Sequence, residues 1–269
     1  MQTQAVDNNS ELITMPNQQI LNRVAGLTVF FWIIKILSTT VGETAADFVN
    51  VNLGLGLTKT TIVIGIGTVV SVLRQLKLKK YYAPAYWFLI VMMSIEGTLI
   101  TDILVDSFHM SLITLDLIFS ILMLAVFYLW HKEEGTLSIH AIDNNRREIF
   151  YWLIVLITFA LGTSVGDTVS EYLSFGYLHS LILFGAIFLL AYLLYRVKAL
   201  TGVAAFWVAF IVTRPIGASL GDLMIQMPQD GGLGLGTGLV NILFFAVVIG
   251  LTAFLTISRT DVEIERVEE

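Results

Sequence analysis

No cysteine occurs among the 269 residues, so disulfides, thiolate nucleophiles and soft thiolate metal sites are excluded. Charge is scarce as well: 13% of residues are Asp, Glu, Lys or Arg, against about 25% in a soluble domain. The four histidines (His109, His131, His140, His179) fall in loops or at helix ends, and none has an i,i+4 partner, which argues against a histidine zinc site. Walker loops, dinucleotide fingerprints, nucleophile elbows and metalloprotease helices are missing too. The first 22 residues carry no basic start followed by an apolar stretch and read as a polar tail, not a cleaved signal. With 56% hydrophobic residues and a mean hydropathy of +0.81, the composition excludes a soluble enzyme, a disordered scaffold and a nucleic-acid binder. A polytopic membrane protein is left.

Spanning a hydrocarbon core of about 30 Å takes roughly 20 helical residues. On that measure eight spans are predicted, at 24–48, 58–74, 83–106, 111–130, 148–173, 177–196, 202–227 and 236–257. The apolar runs are too long and too continuous for barrel strands. Basic residues are strongly one-sided. Twelve (Arg23, Arg74, Lys77, Lys79, Lys80, Lys132, Arg146, Arg147, Arg196, Lys198, Arg259 and Arg266) fall on one side, and only Lys59 falls on the other. That bias places both termini in the cytoplasm. Lys35 and Arg214 lie inside spans; Lys35, a turn beyond Trp32, is expected to snorkel back to the interface.

Four segments align on tryptophan: FWIIKILSTTVGETAAD, YWFLIVMMSIEGTLITD, YWLIVLITFALGTSVGD and FWVAFIVTRPIGASLGD. Their anchors are Trp32, Trp87, Trp152 and Trp207, expected in an interfacial aromatic belt. Ten residues on stand Gly42, Gly97, Gly162 and Gly217; fifteen on stand Asp47, Asp102, Asp167 and Asp222. An all-α fold follows, with eight transmembrane helices in four parallel two-helix repeats. The units run 24–80, 81–147, 148–200 and 201–258, between tails at 1–23 and 259–269. Deleting 1–22 or 260–269 is expected to spare function. The connection at 131–147 is expected to link two halves that rock as two plus two. Fifteen residues at 1.5 Å put each Asp about 22 Å beyond its Trp, so the four carboxylates should share one depth. The glycines and the small residues after them (Ala46, Thr101, Gly166, Gly221) form a close-packing ridge. The neighbouring face, Glu43/Asp47, Thr98/Asp102, Thr163/Asp167 and Ala218/Asp222, should then turn inward.

Carboxylates inside a bilayer are costly and mark pathways. Asp47, Asp102, Asp167, Asp222 and Glu43 are therefore the candidate metal ligands. Glu96, Asp116, Glu171 and Asn241 are candidates for proton coupling or the pathway, with hairpin capping as the alternative for Glu171 and a single interhelical hydrogen bond for Asp116. Arg214, ahead of Pro215, is the expected counter-ion. The similar turns VNLGLGLT at 51–58 and GGLGLGTG at 231–238 read as turn punctuation.

The repeats, with TTVGETAADF at 39–48, EGTLITD at 96–102, LSIHAID at 137–143 and TRPIGASLGDL at 213–223, resemble a bacterial membrane-protein family of unknown function. That family is built of four tandem two-span repeats, each with a tryptophan. The likeness covers about 24–257 and implies the repeat architecture and a link to metal tolerance, without a site list.

An all-oxygen ligand set suits a hard divalent cation such as Mn²⁺ or Mg²⁺. The expected function is a proton-coupled carrier for such a cation, with no resident cofactor. The expected partners are the lipid bilayer, the cation, protons and a second copy in a homo-oligomer, without nucleic acid. Two alternatives stand beside it: a proton or monovalent-cation channel with an Asp ring, and a non-transporting structural or sensory membrane protein.

Overall fold

The computed structural model describes residues 19–20, 22–262 and 264–265. It contains eight long helices: α1 (Val29–Asp47), α2 (Leu57–Gln75), α3 (Ala83–Asp102), α4 (Leu112–Glu134), α5 (Asn145–Asp167), α6 (Tyr177–Arg196), α7 (Gly202–Ile225) and α8 (Thr237–Ser258). All eight are long and apolar enough to cross a membrane. The chain is a multi-pass, all-helical membrane protein built of four repeats. Its only strands among the described residues are a two-residue antiparallel pair, Gln19–Ile20 with Ile264–Glu265, which brings the two ends of the chain together.

Local chemistry sets the helix ends. The hydroxyls of Thr28, Ser111 and Thr201 accept from backbone N–H groups of the first turns of α1, α4 and α7, and the Asn144 side chain does so for α5. Gly56, Gly176 and Gly236 precede α2, α6 and α8 with φ of 75–80°, a conformation that favours glycine. The Gly-rich turns are thus hairpin punctuation. Because Thr28 caps α1, the first span begins at Val29 and not at 24.

The first helices of the repeats form a closed inner ring: α1 packs on α3, α3 on α5, α5 on α7, and α7 on α1. The second helices lie outside it and are displaced by one unit. α2 packs mainly on α3, α4 on α5, α6 on α7, and α8 closes the circle on α1. Each repeat therefore buries its outer helix against the next repeat. Between 61 and 72% of the most apolar stretch of the ring helices is buried, against 11–28% for the outer helices. The outer helices present residues such as Ile66, Val69, Leu117, Ile121, Ile182 and Ile242 to the surroundings, as a lipid-facing layer requires.

Glycine makes the ring tight. A Cβ on Gly42 would strike Ser94, on Gly97 Phe159, on Gly162 Arg214, and on Gly217 Thr39. The struck residue stands seven after its own Trp in every case, so the four contacts repeat one geometry. The four ring contacts are alike, so no seam between two halves stands out among them. The 137–143 connection is itself bonded to the bundle, with Trp207 Nε1 donating to Leu137 O at 2.9 Å and Asn22 Nδ2 to Ile139 O at 2.8 Å.

Two further expectations, on the tryptophans and on Lys35, are corrected, and the tails make contacts that the sequence does not show. Trp87, Trp152 and Trp207 are buried, not set in a lipid-facing belt; they pack among Tyr86, Tyr151, Phe127 and Phe210. The tails are not structurally idle either. Arg23 pairs with buried Glu148 at 3.1 Å, Gly26 N–H donates to Asp261 O at 2.8 Å, and the Tyr81 hydroxyl donates to the buried Asp261 carboxylate. Residues 1–18, 21, 263 and 266–269 of the expected tails lie outside the described residues. Lys35, finally, does not snorkel; its place belongs to the ring axis.

Candidate functional site on the ring axis

Helical spacing of four residues stacks one face of each ring helix into layers about 6 Å apart. Counted from each Trp, the layers lie at −1, +3, +7, +11 and +15. The first holds Phe31, Tyr86, Tyr151 and Phe206, all buried, with the Tyr86 and Tyr151 hydroxyls hydrogen-bonded to each other. The next holds Lys35, Ile90, Val155 and Phe210, and the third Thr39, Ser94, Phe159 and Arg214, every one at 0% exposure. The fourth is Glu43, Thr98, Thr163 and Ala218. The last is Asp47, Asp102, Asp167 and Asp222, where Asp222 is buried and the other three are half-buried.

From the Trp end to the Asp end, the axis thus runs from an aromatic plug through two basic side chains to an acidic rim. Lys35 is wedged between rings: Nζ lies 4.0 Å from the centroids of both Phe159 and Phe210 and donates to Thr213 Oγ1 at 3.3 Å. The faces of two rings and one hydroxyl hold it; no carboxylate pairs with it among the described residues. Its offset, +3, already put it on the inward face.

Arg214 ties the ring together. Nη1 donates to Thr39 O at 2.7 Å and Nε to Phe159 O at 3.3 Å. Nη2 lies 2.7 Å from both Glu43 Oε2 and Thr163 Oγ1 and also bonds Thr98 Oγ1. One side chain from α7 therefore contacts α1, α3 and α5 and pairs with Glu43, which is 7% exposed. The two residues bring the counter-ion candidate and one metal-ligand candidate into a single buried pair.

Asp47, Asp102, Asp167 and Asp222 all lie within electrostatic reach of Glu43, and Asp167 is also within reach of Asp222, Asp102 and Glu171. The rim is one electrostatic cluster. Even so, no three carboxylates or histidines among the described residues converge closely enough to enclose a metal ion. Behind Asp47, Asp102 and Asp167 the helix widens into a π turn, at Phe48–Asn52, Ile103–Ser107 and Thr168–Tyr172. Such turns concentrate at functional positions. α7 continues past Asp222 as a regular helix to Ile225.

The remaining candidates stand away from the axis. Asp116 accepts from Ser164 Oγ at 2.6 Å and Thr168 Oγ1 at 2.7 Å, clamping α4 to α5. Asn241 makes the matching clamp of α8 to α1: Thr44 Oγ1 donates to its Oδ1 at 2.8 Å, and its Nδ2 donates to Thr44 O at 2.9 Å. Neither lines the axis: Asp116, at +29, and Asn241, at +34 after five extra residues in the fourth repeat's turn, each meet position +12 of the next repeat. Glu96 points outward at Gly65 of α2, where a Cβ would lie 3.1 Å from its Oε1; its buried Oε2 has no hydrogen-bond partner among the described residues. Glu171 is exposed at the rim and accepts from the Tyr177 hydroxyl at 3.1 Å.

A family model described as Repeat of Unknown Function (DUF347) matches residues 30–81, 85–136, 150–199 and 205–261, one match per repeat. No curated protein and no solved structure matches the chain.

Proposed function

For this chain, which belongs to the DUF347 repeat family, we propose proton-coupled carriage of a cation across a bacterial inner membrane through the ring axis. The observation that carries the reading is the Asp layer one turn above the Arg214–Glu43 pair. The rim attracts a cation, and the pair is a charge barrier that a cation can open only by competing for Glu43. Protons leaving the carboxylates on cation binding would give exchange without further machinery.

A hard divalent ion such as Mn²⁺ or Mg²⁺ fits the oxygen-only chemistry. The spread of the carboxylates suits an ion that keeps part of its water shell and takes one or two protein ligands, as Mg²⁺ does. Lys35 and the aromatic plug close the Trp end, so the arrangement reads as open toward the Asp end. With twelve basic residues at the Trp end, that end and both termini face the cytoplasm. An axis filled by side chains favours a carrier over a selectivity ring in an open channel. One observation favours a second reading, a non-transporting structural role: Arg214 is so fully bonded that it serves equally as a staple.

Flux in proteoliposomes separates the two. The carrier predicts saturable uptake of Mn²⁺ or Mg²⁺ with opposed proton movement, and Asp47→Asn, Asp102→Asn, Asp167→Asn and Asp222→Asn variants that fold but lose it. Absence of cation flux, together with Asp→Asn variants altered only in stability, supports the staple.

A further inference from the structure

A second feature lies off the axis. At the Trp end a cavity of about 630 Å³ opens between the start of α1, the end of α6, the start of α7 and the connection at 137–140. Its volume falls in the range of small-ligand sites, about 300–1,000 Å³. Aromatic side chains dominate it: Trp32, Phe188, Tyr192, Tyr195 and Phe206. Trp32 meets Phe188 edge-on at 5.3 Å and Phe206 at 5.9 Å. Tyr192 and Tyr195 are 48% and 49% exposed, so the cavity opens sideways on a lipid-facing helix. The ends of α6 and α7 place it at interfacial depth.

A basic side chain stands beside the cavity, on one of its lining tyrosines. Arg196, the last residue of α6, lies over Tyr192 with its guanidinium carbon 5.7 Å from the ring centroid and donates from Nη1 to the Tyr192 hydroxyl at 2.7 Å. That bond uses one of five N–H donors. Among the described residues Arg196 has no carboxylate partner, and exposed Lys198 follows two positions on. The occupant must therefore combine a long apolar part with an anionic group at interfacial height.

We propose that this cavity binds one anionic phospholipid, an acyl chain among the aromatic rings and its phosphate on Arg196. The site is separate from the Asp–Arg214 axis and does not depend on the carrier reading.

Trp32 reports on it directly, being the half-buried member of a set whose other four tryptophans are buried. The protein is placed in phosphatidylcholine nanodiscs containing a rising fraction of phosphatidylglycerol brominated on its acyl chains, and tryptophan quenching is followed. Half-quenching is expected at about a fivefold lower fraction than with brominated phosphatidylcholine, the weight of one basic side chain at an anionic lipid. Arg196→Gln, at an exposed helix end, should move the curve onto that of phosphatidylcholine. Tyr192→Phe, which frees the guanidinium, should move it part of the way, and Trp32→Phe should remove the preferential component. Coincident curves for the two lipids in the parent protein overturn the proposal, as does a preference that survives Arg196→Gln or Trp32→Phe. Circular dichroism of each variant confirms that the fold is intact.

Discussion

Arg214→Met separates a ring held by polar contacts from one held by shape alone. The substitution removes the guanidinium that joins α7 to Glu43, Thr98, Thr163 and two backbone carbonyls. Methionine refills part of the volume but leaves the Glu43 carboxylate without its cation. Breaking a buried pair by removing one partner costs about 3–5 kcal/mol, and each hydroxyl left unpartnered adds to it. Arg214→Met should therefore destabilise by about 4 kcal/mol. Glu43→Gln, which leaves the guanidinium uncompensated, should cost a comparable amount. The double variant removes both charges, so it should cost less than the sum. A coupling of about 2–3 kcal/mol is expected, in the range for residues of one network. Unfolding of the four proteins in mixed detergent micelles with rising dodecyl sulfate, followed by circular dichroism, measures the cycle. Additive losses, or single losses below about 1 kcal/mol, would refute the pair as the centre of the ring.

Asp261, outside the spans, has its carboxyl raised by burial, partly opposed by the hydrogen bond from Tyr81. The folded protein then holds a proton that the unfolded chain releases, so stability falls as pH rises from the ordinary Asp value, about 3.9, through the raised folded value. Asp261→Asn mimics the protonated form; it should match the parent below pH 4 and exceed it at pH 8, as read by thermal unfolding at both values. Gly97→Ala places a methyl carbon 2.6 Å from Phe159 Cβ and 3.0 Å from the Ala160 backbone nitrogen; overpacking of about 1–3 kcal/mol is expected. Gly185→Ala on outer α6 meets nothing within 4 Å and should gain up to about 1 kcal/mol of helix propensity, a contrast readable in the same micelle titration. Deleting 259–269 removes Asp261 and strands the Tyr81 hydroxyl, so thermal stability should drop; an unchanged melting curve would show the base contacts to be incidental.

Periodicity made much of this legible. The Trp, Gly and Asp offsets define the helix count, the close-packing ridge and the shared depth of Asp47, Asp102, Asp167 and Asp222. The same arithmetic would have turned Lys35 inward, since +3 lies two turns before Glu43 at +11. Snorkelling is a rule about depth, and it lost to facing. Asp116 and Asn241 show a different limit. Their bonds run to Ser164 and Thr44 of the following unit, and nothing within one repeat reveals that its outer helix is given to its neighbour. The base contacts of Asn22, Arg23 and Asp261 were hidden for a third reason: polar segments carry no burial pattern until the partner surface, here Tyr81, Ile142 and Glu148, has formed.

Handing each outer helix to the next repeat, with α8 returning to α1, leaves the bundle without a first or last unit. Gln19–Ile20 and Ile264–Glu265 already run side by side, so the ends could be spliced with little added chain. New termini in the exposed 197–201 turn would then yield a circular permutant with the same ring. Cut instead at 135, the chain would give two fragments, each with one unaccepted outer helix and one bare ring face that fits the other. Such halves have reason to find one another in the membrane, and by the same logic a chain of one repeat would have only copies of itself to close the circle.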